Sequence, residues 1–127
     1  MIRAGYEAWN RRDFDAVIEV LDPEIVWTFA GGAQFPGTES TYHGHAGVRQ
    51  FWETFIEPWD EIHIAVEEMV AQGDLVLAFV RFQARGRGSG LELDVPFAHV
   101  YSIRDGKATR FEAFSDPSEA RAAAGFD

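Results

Sequence analysis

The dipeptide Asp105-Gly106 lies between two runs, residues 95–103 and 107–114, that are rich in β-branched and aromatic residues. Asp-Gly in this setting is a strong short-range hairpin signal, because a type I′ turn needs positive φ at both central residues. Two antiparallel strands joined by a tight turn are therefore expected within residues 90–116. If Asp105 and Gly106 are the two loop residues, Arg104 faces Lys107, Tyr101 faces Arg110 and His99 faces Glu112, close enough to interact. A three-residue loop with Gly106 left-handed slips the pairing by one and sets His99 opposite Phe111. The sequence leaves both registers open. Polar side chains interrupt an otherwise apolar surface here, so any chemistry is expected on this hairpin.

The remaining chain supplies what this hairpin packs against. Ile2, Tyr6 and Trp9 have helical spacing. Asp13 suits the N-cap of a second short helix whose buried face is Phe14, Val17, Ile18 and Leu21, and Asp22-Pro23 breaks it. A short strand is expected over residues 25–29. Residues 30–47 show neither period and read as a long loop that covers the mouth of a cavity. Val48, Phe51, Trp52, Phe55 and Ile56 form the strongest amphipathic helix, closed by Pro58. Residues 62–66 alternate as a strand, and Glu67-Glu68 suggests a bulge. Residues 75–84 form a nearly continuous apolar strand interrupted by Arg81. At the end, Asp116-Pro117-Ser118-Glu119 has the pattern of N-cap, N1 proline and capping-box acid, with Gly125 as the stop.

The 127 residues make one domain, spanning 1–127, large enough for a core and a ligand cavity but not for two cores. The 11 Phe, 4 Trp and 3 Tyr either fill a thick core or line an apolar pocket. A net charge of -10 disfavours nucleic acid and anionic membrane surfaces as partners. Without cysteine there is no disulfide, thiolate metal site or Cys nucleophile. No charged leader followed by an apolar run opens the sequence, and no apolar stretch is long enough to span a bilayer, so a cytoplasmic protein is expected.

Helices, strand, loop, helix and then four long antiparallel strands make an α+β layout, with helices on one face of a curved sheet and a pocket between. This order, together with AGYEAWNRRDFDAVIEVLDPEIVW, GHAGVRQFW and PFAHVYSIRDGKATRFEAF, resembles the SnoaL-like group of the NTF2-like superfamily over essentially the whole chain. The resemblance implies a cone fold whose cavity takes a small apolar molecule. It leaves activity open, since such domains include isomerases, epoxide hydrolases, cyclases and non-catalytic binding modules.

Measured against ketosteroid isomerase, the position of the base falls at Phe29, that of the oxyanion tyrosine at Gly5 beside Tyr6, and that of the protonated aspartate near Ala98, so that proton shuttle is missing. Against limonene-epoxide hydrolase, Arg81 and Asp116 match the arginine and water-activating aspartate, while the acid falls at Gln83. Asp116 also has a structural use as N-cap. The polyketide cyclases resemble the chain best at the hairpin, where a histidine and an aspartate act as acid and base. His99 and Glu112 sit near those positions and form the candidate pair. The alternative is a cross-strand pair on the outer face, buried by a dimer partner.

The expected pocket wall is Tyr6, Trp9, Trp27, Phe29, Trp52, Phe55, Trp59, Tyr101 and Phe114. His43-Gly44-His45 lacks further ligands for a metal, and no cofactor motif is present, so neither is expected. Arg81, Arg85 and Arg87 are the basic cluster, suited to an anionic ligand or to a protected sheet edge. A homodimer is expected, because an apolar outer sheet face would be unusual on a monomer. Two functions remain: acid/base chemistry on a polyketide- or terpenoid-like ligand, or non-catalytic binding.

Overall fold

The computed structural model describes residues 2–30, 41–57, 59–88 and 90–125, with backbone alone at Phe29 and Ala30. In chain order the elements are helices α1 (Ile2–Asn10) and α2 (Phe14–Glu19), strands β1 (Leu21–Ala30) and β2 (Thr41–His43), helix α3 (Gly44–Ile56), strands β3 (Trp59–Gln72), β4 (Leu75–Gly86), β5 (Glu92–Arg104) and β6 (Lys107–Phe114), and helix α4 (Pro117–Ala124). The six strands form one curved, unclosed sheet in the order β2-β1-β6-β5-β4-β3. All neighbours are antiparallel except β1 and β6. This is the expected α+β cone.

Each helix is placed by a local sequence signal. Asp13 accepts from the Ala16 amide to start α2, and Arg12 just before it adopts a left-handed φ of 64°. Asn10 fastens the end of α1 to β3 as an added strand would, accepting from the Ile64 amide and donating to its carbonyl, both at 2.9 Å. Arg12 donates to the Ile62 carbonyl at 2.6 Å. Asp116 caps α4 through the Ser118 amide at 2.8 Å, and Gly125 ends that helix left-handed at φ 77°.

Two cores result. On the concave face, α1, α2 and α3 press Tyr6, Trp9, Ile18, Phe51, Trp52 and Phe55 against Trp27, Val80, Phe82, Tyr101 and Phe111. On the convex face, α4 sets Ala120 and Ala124 on Leu77, Ala98, Val100 and Phe114. The apolar strip on which the dimer expectation rests is thus partly roofed by the chain's own last helix.

The described part of the loop expected at residues 30–47 is not irregular. Residues 31–40, the expected lid, lie outside the described residues, but Thr41–His43 is a strand and α3 begins at Gly44, four residues before the apolar stripe. The cause is tertiary: β2 pairs with β1, His43 opposite Val26, and Gly44 turns the chain at φ 71° into the helix. Pro58 also lies outside the described residues. The bulge expected at the doubled glutamate is present, since Val66 pairs with Val80 and Glu68 with Phe79, leaving Glu67 extra.

Candidate active site

The hairpin turn is the two-residue form, with Asp105 at φ 53°, Gly106 at φ 76° and Arg104 opposite Lys107. The register it predicts nevertheless fails two residues further on. Ile103 pairs with Ala108 and Ser102 with Arg110, so Thr109 is an extra residue whose hydroxyl donates to the Ser102 carbonyl at 3.3 Å. Beyond this bulge His99 faces Ala113, and Glu112 faces Val100. His99 and Glu112 therefore point to opposite sides of the sheet and do not meet. A one-residue slip sends every later side chain of a strand to the other face.

The bulge has a core-packing reason. Ala108, Phe111 and Ala113 are all buried in the concave core, and the first two are three residues apart, an odd spacing that only an inserted residue lets share one face. Glu112 goes outward instead, beside Arg110 at 3.7 Å.

His99 goes inward. It is the buried polar residue among the described residues and lines an apolar cavity of about 80 Å³ together with Tyr6, Trp9, Trp27, Phe51, Trp52, Phe55, Phe97, Tyr101 and Phe111. The Tyr6 hydroxyl lies 2.6 Å from His99 Nδ1, and the Tyr101 hydroxyl donates to Tyr6 at 2.8 Å. If Tyr6 accepts from Tyr101, its own proton has one partner, Nδ1. The chain is then Tyr101 to Tyr6 to His99, and the imidazole carries its proton on Nε2. Tyr6 stacks near-parallel on the imidazole, and Tyr101 meets both rings edge-on.

Burial keeps all three groups neutral. It lowers the His99 pKa from 6.5 to about 3 and raises both tyrosines, Tyr6 also through Tyr101. The site is thus a hydrogen-bond donor, Nε2–H, held in one tautomer by two phenols inside an apolar wall. It resembles neither a carboxylate base nor a charged acid.

The other expected site residues are dispersed. Arg81 is on the convex face and donates to Asp94 at 2.7 Å. Asp116 is the α4 cap. Phe114 belongs to the convex core, and Trp59 packs edge-on against Phe82 outside the cavity lining. The Phe29 side chain lies outside the described residues. Tyr6, Trp9, Trp27, Trp52, Phe55 and Tyr101 do line the cavity. Arg81, Arg85 and Arg87 face Asp94, Glu61 and Asp60 respectively. His45 Nε2 lies 2.8 Å from the Leu21 carbonyl. The described residues contain no cluster of three His, Asp or Glu able to hold a metal.

A curved, unclosed sheet packed against helices on its concave face is the NTF2-like fold. Within that class, residues 2–111 match the model of the SnoaL-like domain, and the chain belongs to that family. Solved structures agree. TerC, co-crystallised with polyporic acid, superposes with a TM-score of 0.82 at 28% identity, covering 95% of this chain and 92% of that one. An NTF2-like protein of unknown function from Burkholderia pseudomallei gives the same values. An NTF2-like protein from Burkholderia thailandensis gives 0.78 at 28% identity, covering 97% and 93%. No curated protein matches the sequence significantly. No helix among the described residues is long and apolar enough to cross a membrane.

Proposed function

We propose that this protein binds a small, mostly apolar molecule in the cone cavity and engages one oxygen of it, a carbonyl or enol, through the Nε2–H of His99. The observation that carries this reading is the Tyr101–Tyr6–His99 chain, with hydrogen bonds of 2.8 and 2.6 Å ending at an apolar cavity. The co-crystallisation of the similar TerC with polyporic acid supports a small-molecule ligand.

The chemistry that suits this geometry is electrophilic. A neutral imidazole donating to a carbonyl stabilises negative charge that develops on its oxygen, and in a low-dielectric wall such a donor is worth far more than in water. Tyr6, by donating to Nδ1, holds the imidazole in place and keeps its proton on Nε2. Among the described residues no carboxylate lines the cavity, so proton abstraction from an unactivated carbon has no base here. A substrate that enters already as its enol needs no base from the wall, and its isomerisation or ring closure fits. Binding without turnover uses the same contacts and is the second reading.

Infrared spectroscopy of bound 1-tetralone tests the contact. The carbonyl stretch should lie below its value in hydrocarbon solvent for the wild type and return toward that value in His99→Leu. A stretch unaffected by that change would refute the reading.

A further inference from the structure

Helix α1 faces the cavity with Ile2, Gly5, Tyr6 and Trp9, the i, i+3, i+4 and i+7 positions of one helical stripe. Three of these positions carry large side chains, and Gly5 carries none. Glycine in a helix interior is less stable than alanine, because its unfolded backbone has more freedom to lose.

The two usual backbone reasons for glycine do not apply to Gly5. It is helical and is not among the residues of positive φ. No other described element comes too close for a side chain. Apart from its chain neighbours and the backbone of α1, a Cβ built at Gly5 meets one described atom within 4 Å, Val20 Cγ2, at an ordinary contact distance of 3.4 Å. Gly5 is nonetheless buried, and Val20 lines the same cavity. Protein interiors are close-packed, so a buried carbon normally has neighbours on every side. A buried Cβ with a single such contact would stand in the cavity.

We propose that Gly5 is a specificity-determining residue, whose missing side chain keeps the cavity open between α1 and Val20 and sets the largest molecule that it admits. The inference rests on the reading that the cavity binds a small apolar molecule, and not on the contact with His99. The cavity measures about 80 Å³, so a methyl group, comparable in size to a water molecule, takes a substantial part of it. Stability and binding then favour different residues at this position, which is the mark of a residue kept for function.

The test is Gly5→Ala, followed by its thermal midpoint and by NMR titration with two ketones of different size, cyclopentanone and 1-tetralone. The variant should melt roughly 2 to 4 °C higher, from the removal of a helix-interior glycine. It should bind 1-tetralone about fivefold or more weakly, since an extra methyl group overpacks the filled site. Cyclopentanone binding should be unchanged. Adding Val20→Ala removes the atoms opposite and should bring 1-tetralone binding back toward the wild-type value, which a role in helix packing alone would not produce. A lower midpoint would show that the space is absent, and equal effects on the two ketones, or none, would show that Gly5 does not read ligand size. Each of these overturns the proposal. Binding of neither ketone to the wild-type protein is a distinct result, which removes the reading of the cavity as a binding site and the proposal with it.

Discussion

Replacing Tyr6 by Phe removes one oxygen that serves two buried partners. In the folded protein that oxygen accepts from Tyr101 at 2.8 Å and donates to His99 Nδ1 at 2.6 Å. The ring remains, so the apolar packing of α1 is nearly unchanged, but the Tyr101 proton and His99 Nδ1 are both stranded in the core. Each stranded group costs about 1 to 3 kcal/mol, so the variant should lose about 2 to 6 kcal/mol. Against a typical domain stability of about 5 to 15 kcal/mol this is a large fraction. At about 4 °C per kcal/mol it lowers the thermal midpoint by roughly 8 to 24 °C. Tyr101→Phe removes only the terminal donor, costs about 1 kcal/mol, and strands an acceptor that keeps its other bond. In a Tyr101→Phe background, Tyr6→Phe strands Nδ1 alone, so the double variant should be about 2 to 4 kcal/mol more stable than the sum of the single costs implies. Urea unfolding of the four proteins measures this cycle. A Tyr6→Phe variant no less stable than Tyr101→Phe, or simple additivity, would refute the hydrogen-bond chain.

Three further outcomes follow from the same geometry. The His99 pKa falls on folding, from 6.5 to about 3, so the unfolded chain binds the extra proton. This group leaves stability untouched above about pH 6.5 and subtracts up to about 1.4 kcal/mol per pH unit as pH falls from there toward 3. His99→Gln should flatten the unfolding free energy over that window, and an unchanged acid slope would contradict it. Glu112→Gln, on the outer face beside Arg110, should change stability by less than about 1 kcal/mol and leave the His99 NMR titration unmoved. A shifted titration would mean that the two residues meet after all. Asp116→Ala removes the cap of α4 and should cost about 0.5 to 2 kcal/mol by thermal unfolding, without altering binding of 1-tetralone. A selective loss of binding there would return Asp116 to the site.

The family and the layout of elements were legible because they depend on local signals. The helical stripe from Val48, the doubled glutamate of the β3 bulge, the Asp-Gly turn and the Asp-Pro start of α4 each specify their own backbone, and the structure has all four. Six of the nine expected wall residues line the cavity for a similar reason, since large aromatic residues on a buried face of a cone meet its interior. Tyr101 could have been linked to His99 directly, being two residues away on one strand and so on the same face.

The site itself depended on longer range. Of the two turn types left open the two-residue form is present, yet the register was set by Thr109, and the spacing of Ala108, Phe111 and Ala113 was the one sequence sign of it. Because strand side chains alternate with period 2, that single inserted residue exchanged Glu112 for Ala113 as the neighbour of His99 and sent the carboxylate outside. Tyr6 is 93 residues from His99, and no local pattern ties the two together. Residue types and their periodicity thus determined the elements and their apolar faces. Only the tertiary structure decided which polar groups face one another across those elements, because that pairing is fixed by a bulge and a helix docking that satisfy the whole core at once.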